Sequence, residues 1–241
     1  MLNVAVSLAL SLAVGAALYF LASLQPWICA LVAITVFGAS YFLIMRYVMK
    51  RIEALAEEAQ KDLQGSRTEK AILTLKKGFK FAPWQFFIKP QINAQIGTVL
   101  FLTRDFPKAF DYLQKGYARH WVGMGMLAIC YMKRNKTGKM IDTFDKAVAA
   151  TRKESLLWCL YAYCLDKIGE REKAITTLQK GAKKVPNSEP LEANLKALQE
   201  GRKMRMMVYG DMWYQFHLEK PGNIVRQQTK AIQGRRKIVR R

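Results

Sequence analysis

The residues of this chain that could do chemistry are few and scattered. There are two histidines, His120 and His217, four cysteines, Cys29, Cys130, Cys159 and Cys164, and 18 carboxylates against 39 Lys and Arg. A zinc or iron site needs several His, Cys or carboxylate ligands at short, convergent spacings. Neither histidine has such neighbours, and no two cysteines form C-x-x-C. Cys29 falls in an apolar run and the other three on apolar helix faces, so all four read as structural thiols in a reducing compartment. The phosphate-cradling G-x-x-x-x-G-K-[ST], the dinucleotide G-x-G-x-x-G and the nucleophile elbow G-x-S-x-G do not occur. Gly123-Met124-Gly125 lies inside an apolar stretch and reads as close helix packing. The expectation is a protein that is not an enzyme and has no cofactor or metal. What remains is binding.

Two apolar runs decide where that binding takes place. Residues 2–22 and 27–49 contain one charged side chain, Arg46. A helix rises about 1.5 Å per residue and a bilayer core is about 30 Å thick, so roughly 20 apolar residues cross it. The short uncharged link Ser23-Leu24-Gln25-Pro26 makes the two runs an antiparallel transmembrane hairpin over residues 1–50. Arg46, Lys50 and Arg51 flank the second span, and cations are retained on the cytoplasmic side. Both termini are therefore expected in the cytoplasm, at a bacterial inner membrane. The uncharged start Met1-Leu2-Asn3 and the poor cleavage site near Ala22 argue against a signal peptide. No acid, Lys or His lies within either span, which argues against transport by this chain alone. Ser7, Ser11 and Gly15 form a small-residue stripe that either faces the second helix or supports self-association.

The net charge is +21. Residues 221–241 read as a disordered basic tail. Arg235, Arg236, Lys237, Arg240 and Arg241 lie there, and residues 222–241 hold no acid. Such a tail is drawn to anionic lipid or to the phosphates of RNA or DNA. A membrane tether favours lipid.

Between hairpin and tail the chain repeats itself. Segments beginning at Glu69, Pro107, Gly138 and Glu172 align, each with a small residue or Met, a large apolar residue four on, and Gly or Ala three further. The sets are Ala71-Leu75-Gly78, Ala109-Leu113-Gly116, Met140-Phe144-Ala147 and Ala174-Leu178-Gly181. Spacing of i, i+4, i+7 puts each set on one helical face. The starts are 38, 31 and 34 residues apart by subtraction. Each such helix is preceded by another, most clearly Leu156 to Gly169. Here the chain resembles the tetratricopeptide repeat family: Trp158, Tyr161, Ala162, Leu165, Gly169, Ala174, Leu178, Gly181 and Pro186 fall at its signature spacings. The resemblance covers about residues 52–188, as roughly four units of which the first is degenerate.

The fold class expected is therefore all-α, a transmembrane hairpin followed by a short tetratricopeptide-like α-solenoid over residues 51–188. The helix from the second span should run on, for roughly 38 residues, into the first repeat. A segment over residues 189–220 should cap the array, with Ser188 as N-cap and Leu191, Leu195 and Leu198 as its buried stripe.

The resemblance implies protein or peptide binding in a groove lined by the leading helices. Candidate groove residues are Gln91, Asn93 and Gln95, then Tyr131 and Lys133, then Tyr163 and Asp166. A second candidate surface is the Met- and aromatic-rich segment 204–218, with Trp213, Tyr214 and Phe216. It could cap its own repeats, lie in the membrane interface or bind a partner. The function expected is a membrane-anchored scaffold that binds or positions a protein partner. The alternatives are a membrane-surface nucleic-acid or anionic-lipid binder working through the tail, and an accessory assembly subunit of a larger membrane complex.

Overall fold

The computed structural model describes residues 1–22 and 25–219, without the side chains of Leu21 and Ala22. All regular structure among these residues is helical. The helices are α1 (Leu2–Ala22), α2 (Pro26–Gln64), α3 (Thr68–Lys77), α4 (Ile88–Leu102), α5 (Phe106–Leu113), α6 (Trp121–Lys133), α7 (Thr137–Ala150), α8 (Ser155–Lys167), α9 (Arg171–Lys184), α10 (Glu189–Gln199) and the single turn α11 (Asp211–Tyr214). Short 3-10 turns occupy Gly78–Phe81 and Met206–Tyr209. The chain divides into two compact units, Met1–Gly123 and Met124–Arg241.

In the first unit, α1 and α2 form an antiparallel hairpin. The small-residue stripe of α1 faces α2: Ser7 and Ser11 are buried, and a Cβ at Gly15 would lie 3.4 Å from that of Ala33. The large apolar side chains turn outward instead, with Leu12 63 % and Ile34 67 % exposed. Both helices are long and apolar enough to cross a membrane. Past the apolar stretch α2 continues without a break for 39 residues in all. No proline follows Pro26 within it, and its one glycine, Gly38, leaves the helix unbroken. Its last turns bury Ile52 and Ala59, while α3 buries Ala71 and Leu75, and α2 packs on α3. Asp62 is buried on the same face and is met by Lys70 Nζ at 3.0 Å.

The remaining helices of this unit follow in pairs. α3 packs on α4, and α4 on α5. The close approach of α4 and α5 needs a bare backbone at Gly97, where a Cβ would come within 2.7 Å of Leu113 Cγ and 3.0 Å of its backbone nitrogen. The insertion Phe81–Pro90, which lengthens the first repeat interval, is used structurally. Pro83 and Trp84 offer carbonyls to the free backbone N–H groups of Leu2 (2.9 Å) and Asn3 (3.4 Å), so the insertion caps the first turn of α1.

In the second unit α8 is the central helix, packed on α7, α9 and α10. Trp158, Tyr161, Ala162 and Leu165 are all buried. The Trp158 indole lies on α9 where a side chain at position 181 would be: a Cβ there would meet Trp158 Cγ at 2.8 Å. Gly181 leaves the indole the space that a β-carbon would take. Trp158 Nε1 donates to the Arg152 carbonyl at 2.9 Å, and Tyr161 stacks on Phe144 with ring centroids 4.8 Å apart.

One local device recurs along the chain. Ser66, Arg104, Asn135, Gly169 and Gly201 have left-handed backbone, at intervals of 38, 31, 34 and 32 residues by subtraction. Each follows a leading helix. The next N–H then reaches back five residues: Arg67 to Asp62, Asp105 to Leu100, Lys136 to Tyr131, Glu170 to Leu165 and Arg202 to Ala197, all at 2.8–3.0 Å. That is the Schellman closure of a helix C-terminus. The first three intervals match those between the aligned segments, so the repeat is written in backbone conformation as well as in side chains. The turn at Gly201 makes α10 the leading helix of a fifth pair, whose second helix is replaced by segment 204–218. α10 stands where a capping helix was expected and shares this closing turn with the leading helices before it. Ser188 holds the N-cap position but makes no side-chain cap, and Asn194 joins Leu191 and Leu198 in the buried stripe where Leu195 was expected.

Arg104 adopts its left-handed conformation (φ 66°) with a β-carbon, at a cost of about 1 kcal/mol that glycine does not carry. Arg104→Gly should raise the stability of the first unit by about 0.5 kcal/mol after the extra unfolded-state entropy of glycine is set against it. Denaturant titration reads this as a higher midpoint with unchanged slope.

Candidate functional site

Segment 204–218 lies on the leading helices of the second unit, on the surface where a partner was expected. Apolar residues without helical periodicity cannot form a long amphipathic helix, so the segment folds as a 3-10 turn and one α-turn broken by Gly210 (φ 56°). Three of its side chains point inward, while Val208 and Met212 stay exposed. Met206, Trp213 and Phe216 are buried. Trp213 meets Tyr163 edge-on at 4.8 Å. Phe216 lies against α6, where a Cβ on Gly125 would fall 3.3 Å from its ring and 2.8 Å from Leu160.

Polar bonds hold the entry to this segment. Arg205 N–H donates to Asn194 Oδ1 at 2.6 Å, and the Tyr209 hydroxyl donates to Cys159 Sγ at 3.3 Å. Arg171 at the start of α9 donates to the Leu198 carbonyl at 3.2 and 2.9 Å and to the Arg202 carbonyl at 2.9 Å, which ties down the end of α10.

Electrostatics agree with a structural role for these groups. Burial pushes the Cys159 thiol up to about 11, and Cys130 likewise. Burial raises Tyr163 to about 12 and holds Cys164 and Tyr209 far above their ordinary values. Thiols so far above neutral pH are not nucleophiles. Among the described residues no His, Cys and carboxylate groups converge as a metal site.

The sequence-derived candidates separate accordingly. Trp213 and Phe216 are corrected: they are core residues of the second unit, and a partner reaches them only by displacing the segment. Tyr163 is half-buried under Trp213, and Tyr214 is half-buried beside it. Asp166 is occupied by Arg171, at 3.9 Å. Tyr131 is half-buried and Lys133 exposed on α6. In the first unit Asn93 is also corrected. It is 5 % exposed and its Nδ2 donates to the Lys115 carbonyl at 3.5 Å, so it joins α4 to the end of α5 rather than facing outward. Gln91 and Gln95 stay partly exposed on either side of it. Arg235, Arg236, Lys237, Arg240 and Arg241 lie outside the described residues.

His120, expected to be chemically idle, has a structural task. Its Nδ1 accepts the Gly123 N–H at 3.0 Å and so caps the first turn of α6. Burial depresses its pKa below the ordinary 6.5. The neutral imidazole is the form that caps. Its stabilisation is complete above the unfolded-state pKa and is lost as pH falls through the lower folded-state value. Lowering the pH from about 7 to about 5 should therefore cost up to about 1 kcal/mol through this group. His120→Asn, which caps without titrating there, should remove that part of the pH dependence in denaturation midpoints.

A second feature, missed in the sequence, lies at the foot of the hairpin in the first unit. Val6, Leu43, Ile44, Tyr47, Val48, Phe81 and Trp84 line an apolar groove of about 460 Å³. The insertion that caps α1 also supplies its outer wall. Nearby, the side-chain amides of Asn3 and Gln85 and the Ser7 hydroxyl are buried without a protein hydrogen-bond partner. The available signal was the aromatic cluster Phe81, Trp84, Phe86 and Phe87, but sequence alone did not say which element it met.

Comparison with known proteins finds distant likenesses only. A MamA structure described as an RS-1 ArsTM double mutant is 17 % identical with a TM-score of 0.47, covering 74 % of this chain and 96 % of that one. MamA 41-end from Desulfovibrio magneticus RS-1 is 18 % identical with a TM-score of 0.45, covering 78 % and 96 %. A further crystal structure of MamA is 16 % identical at 0.44, covering 62 % and 87 %. No family model and no curated protein sequence matches the chain. Similarity this remote carries no functional assignment, and the reading below rests on the helices themselves.

Proposed function

We propose that this protein is a membrane-anchored scaffold that holds a protein partner at the cytoplasmic face of a bacterial inner membrane. The observation that carries the reading is the single helix α2. At one end it presents exposed apolar side chains, and at the other it buries Ile52 and Ala59 in the first helix pair. Exposed Leu12, Leu31, Ile34, Phe42 and Leu43 are intelligible if lipid covers them, since apolar surface on this scale is costly in water. On this reading the unbroken helix carries the first helix pair out of the bilayer at its surface. Arg46, Lys50 and Arg51 support a cytoplasmic foot. Stacked helix pairs offer extended surfaces suited to recognition of a partner.

In the first unit the candidate contact positions are Gln91 and Gln95 on α4, which stay partly exposed; in the second they are Tyr131 and Lys133 on α6. The test has two parts. Membranes are extracted with alkaline carbonate, and the chain should stay in the pellet. A photo-crosslinking residue placed at Gln91 or Gln95 should then trap one defined protein, while the same residue at buried Ala162 should not. Release by alkali would overturn the anchor, and identical adducts from both kinds of site would overturn the contact surface.

A further inference from the structure

We infer that the groove at the foot of the hairpin seats an acyl chain of an anionic phospholipid, whose phosphate is met by Arg51 and Lys80. The inference rests on the membrane reading above. The groove is apolar, and its volume of about 460 Å³ lies within the roughly 300–1,000 Å³ of small-molecule sites. Two of its aromatic walls each carry a cation. The Arg51 guanidinium lies 5.3 Å from the Tyr47 ring centre, and its Nη2 donates to the Tyr47 hydroxyl at 3.3 Å. Lys80 Nζ lies 5.0 Å from the Phe81 ring centre.

Both cations are exposed, and among the described residues neither is paired with a carboxylate. An apolar trough with two unneutralised cations on its walls complements a molecule that is greasy along its length and anionic at its head. The groove also lies where α2 passes from its apolar stretch to charged residues, the depth at which a phospholipid changes from chain to headgroup. A zwitterionic lipid would fill the same trough but gain less from the two cations. A transmembrane helix of a partner would not need them.

The test uses the full chain carrying Trp27→Phe, reconstituted in phosphatidylcholine vesicles. These are doped with brominated-acyl phosphatidylglycerol or, separately, brominated-acyl phosphatidylcholine. The quenching lost on adding Trp84→Phe reports contact at the groove. Half-quenching should need roughly tenfold less of the anionic lipid than of the zwitterionic one. Arg51→Gln with Lys80→Gln, both surface changes, should erase that preference. Ile44→Phe, which fills the trough, should weaken quenching by both lipids. Equal half-quenching fractions, or a preference that survives loss of both cations, would overturn the site and leave the groove to another helix. Flotation of the same vesicles separates this from the anchor: a chain that does not float sinks the membrane reading, and one that floats without lipid preference sinks only the groove.

Discussion

Replacing Trp213 with alanine should destabilise the second unit by about 3–5 kcal/mol, the usual cost of emptying a tryptophan site in a packed core. The indole is 1 % exposed and meets Tyr163 edge-on, with Phe216 fully buried beside it. Segment 204–218 has little regular structure with which to hold itself in place. The loss should be local at first. The segment should become the preferred site of limited proteolysis, and Tyr163 should lose its cover. Its hydroxyl, pushed up to about 12 mainly by burial, should then titrate closer to the ordinary 10. Denaturant titration gives the energy and ultraviolet titration the tyrosine shift. A loss below about 1 kcal/mol with Tyr163 unmoved would mean that the segment contributes little to the unit.

Leu12→Lys combined with Ile34→Lys should abolish stable membrane insertion. Both side chains point away from the hairpin interface, so the substitutions disturb little inside the protein. In water they would be harmless or would improve solubility. Near the middle of a span each charge costs about 2.5–3.5 kcal/mol, and the pair together roughly twice that. The sign of the effect therefore discriminates between lipid and water around these helices. Carbonate extraction should leave the parent chain in the membrane pellet and release the double variant. A double variant that stays embedded, or a parent chain that is soluble without detergent, contradicts the anchor.

Much of the architecture was legible because it is periodic. Twenty-residue apolar runs, small residues four and seven apart, and recurring helix ends are local signals that survive without knowledge of neighbours. The continuous helix was readable because nothing in residues 39–64 breaks it. The candidate site was less legible. Asn93 looked like a groove residue because it is polar, although it stands three, four and seven residues before Ile96, Gly97 and Leu100 and so falls on the apolar stripe of α4 itself, where the second unit has Trp158. Trp213 and Phe216 were recognisable as contact residues, but composition could not say whether their contact was internal.

What this chain's order of residues determined by itself is the set of helices, their pairing into repeats and the apolar character of the first two, since backbone hydrogen bonding and hydrophobic period act over a few residues. Only the tertiary structure decided that a fifth leading helix is completed by segment 204–218, that Trp213 turns inward, and that Phe81 and Trp84 wall a groove against the hairpin. Those outcomes depend on which surfaces are left uncovered once distant elements have met, and no local pattern encodes them.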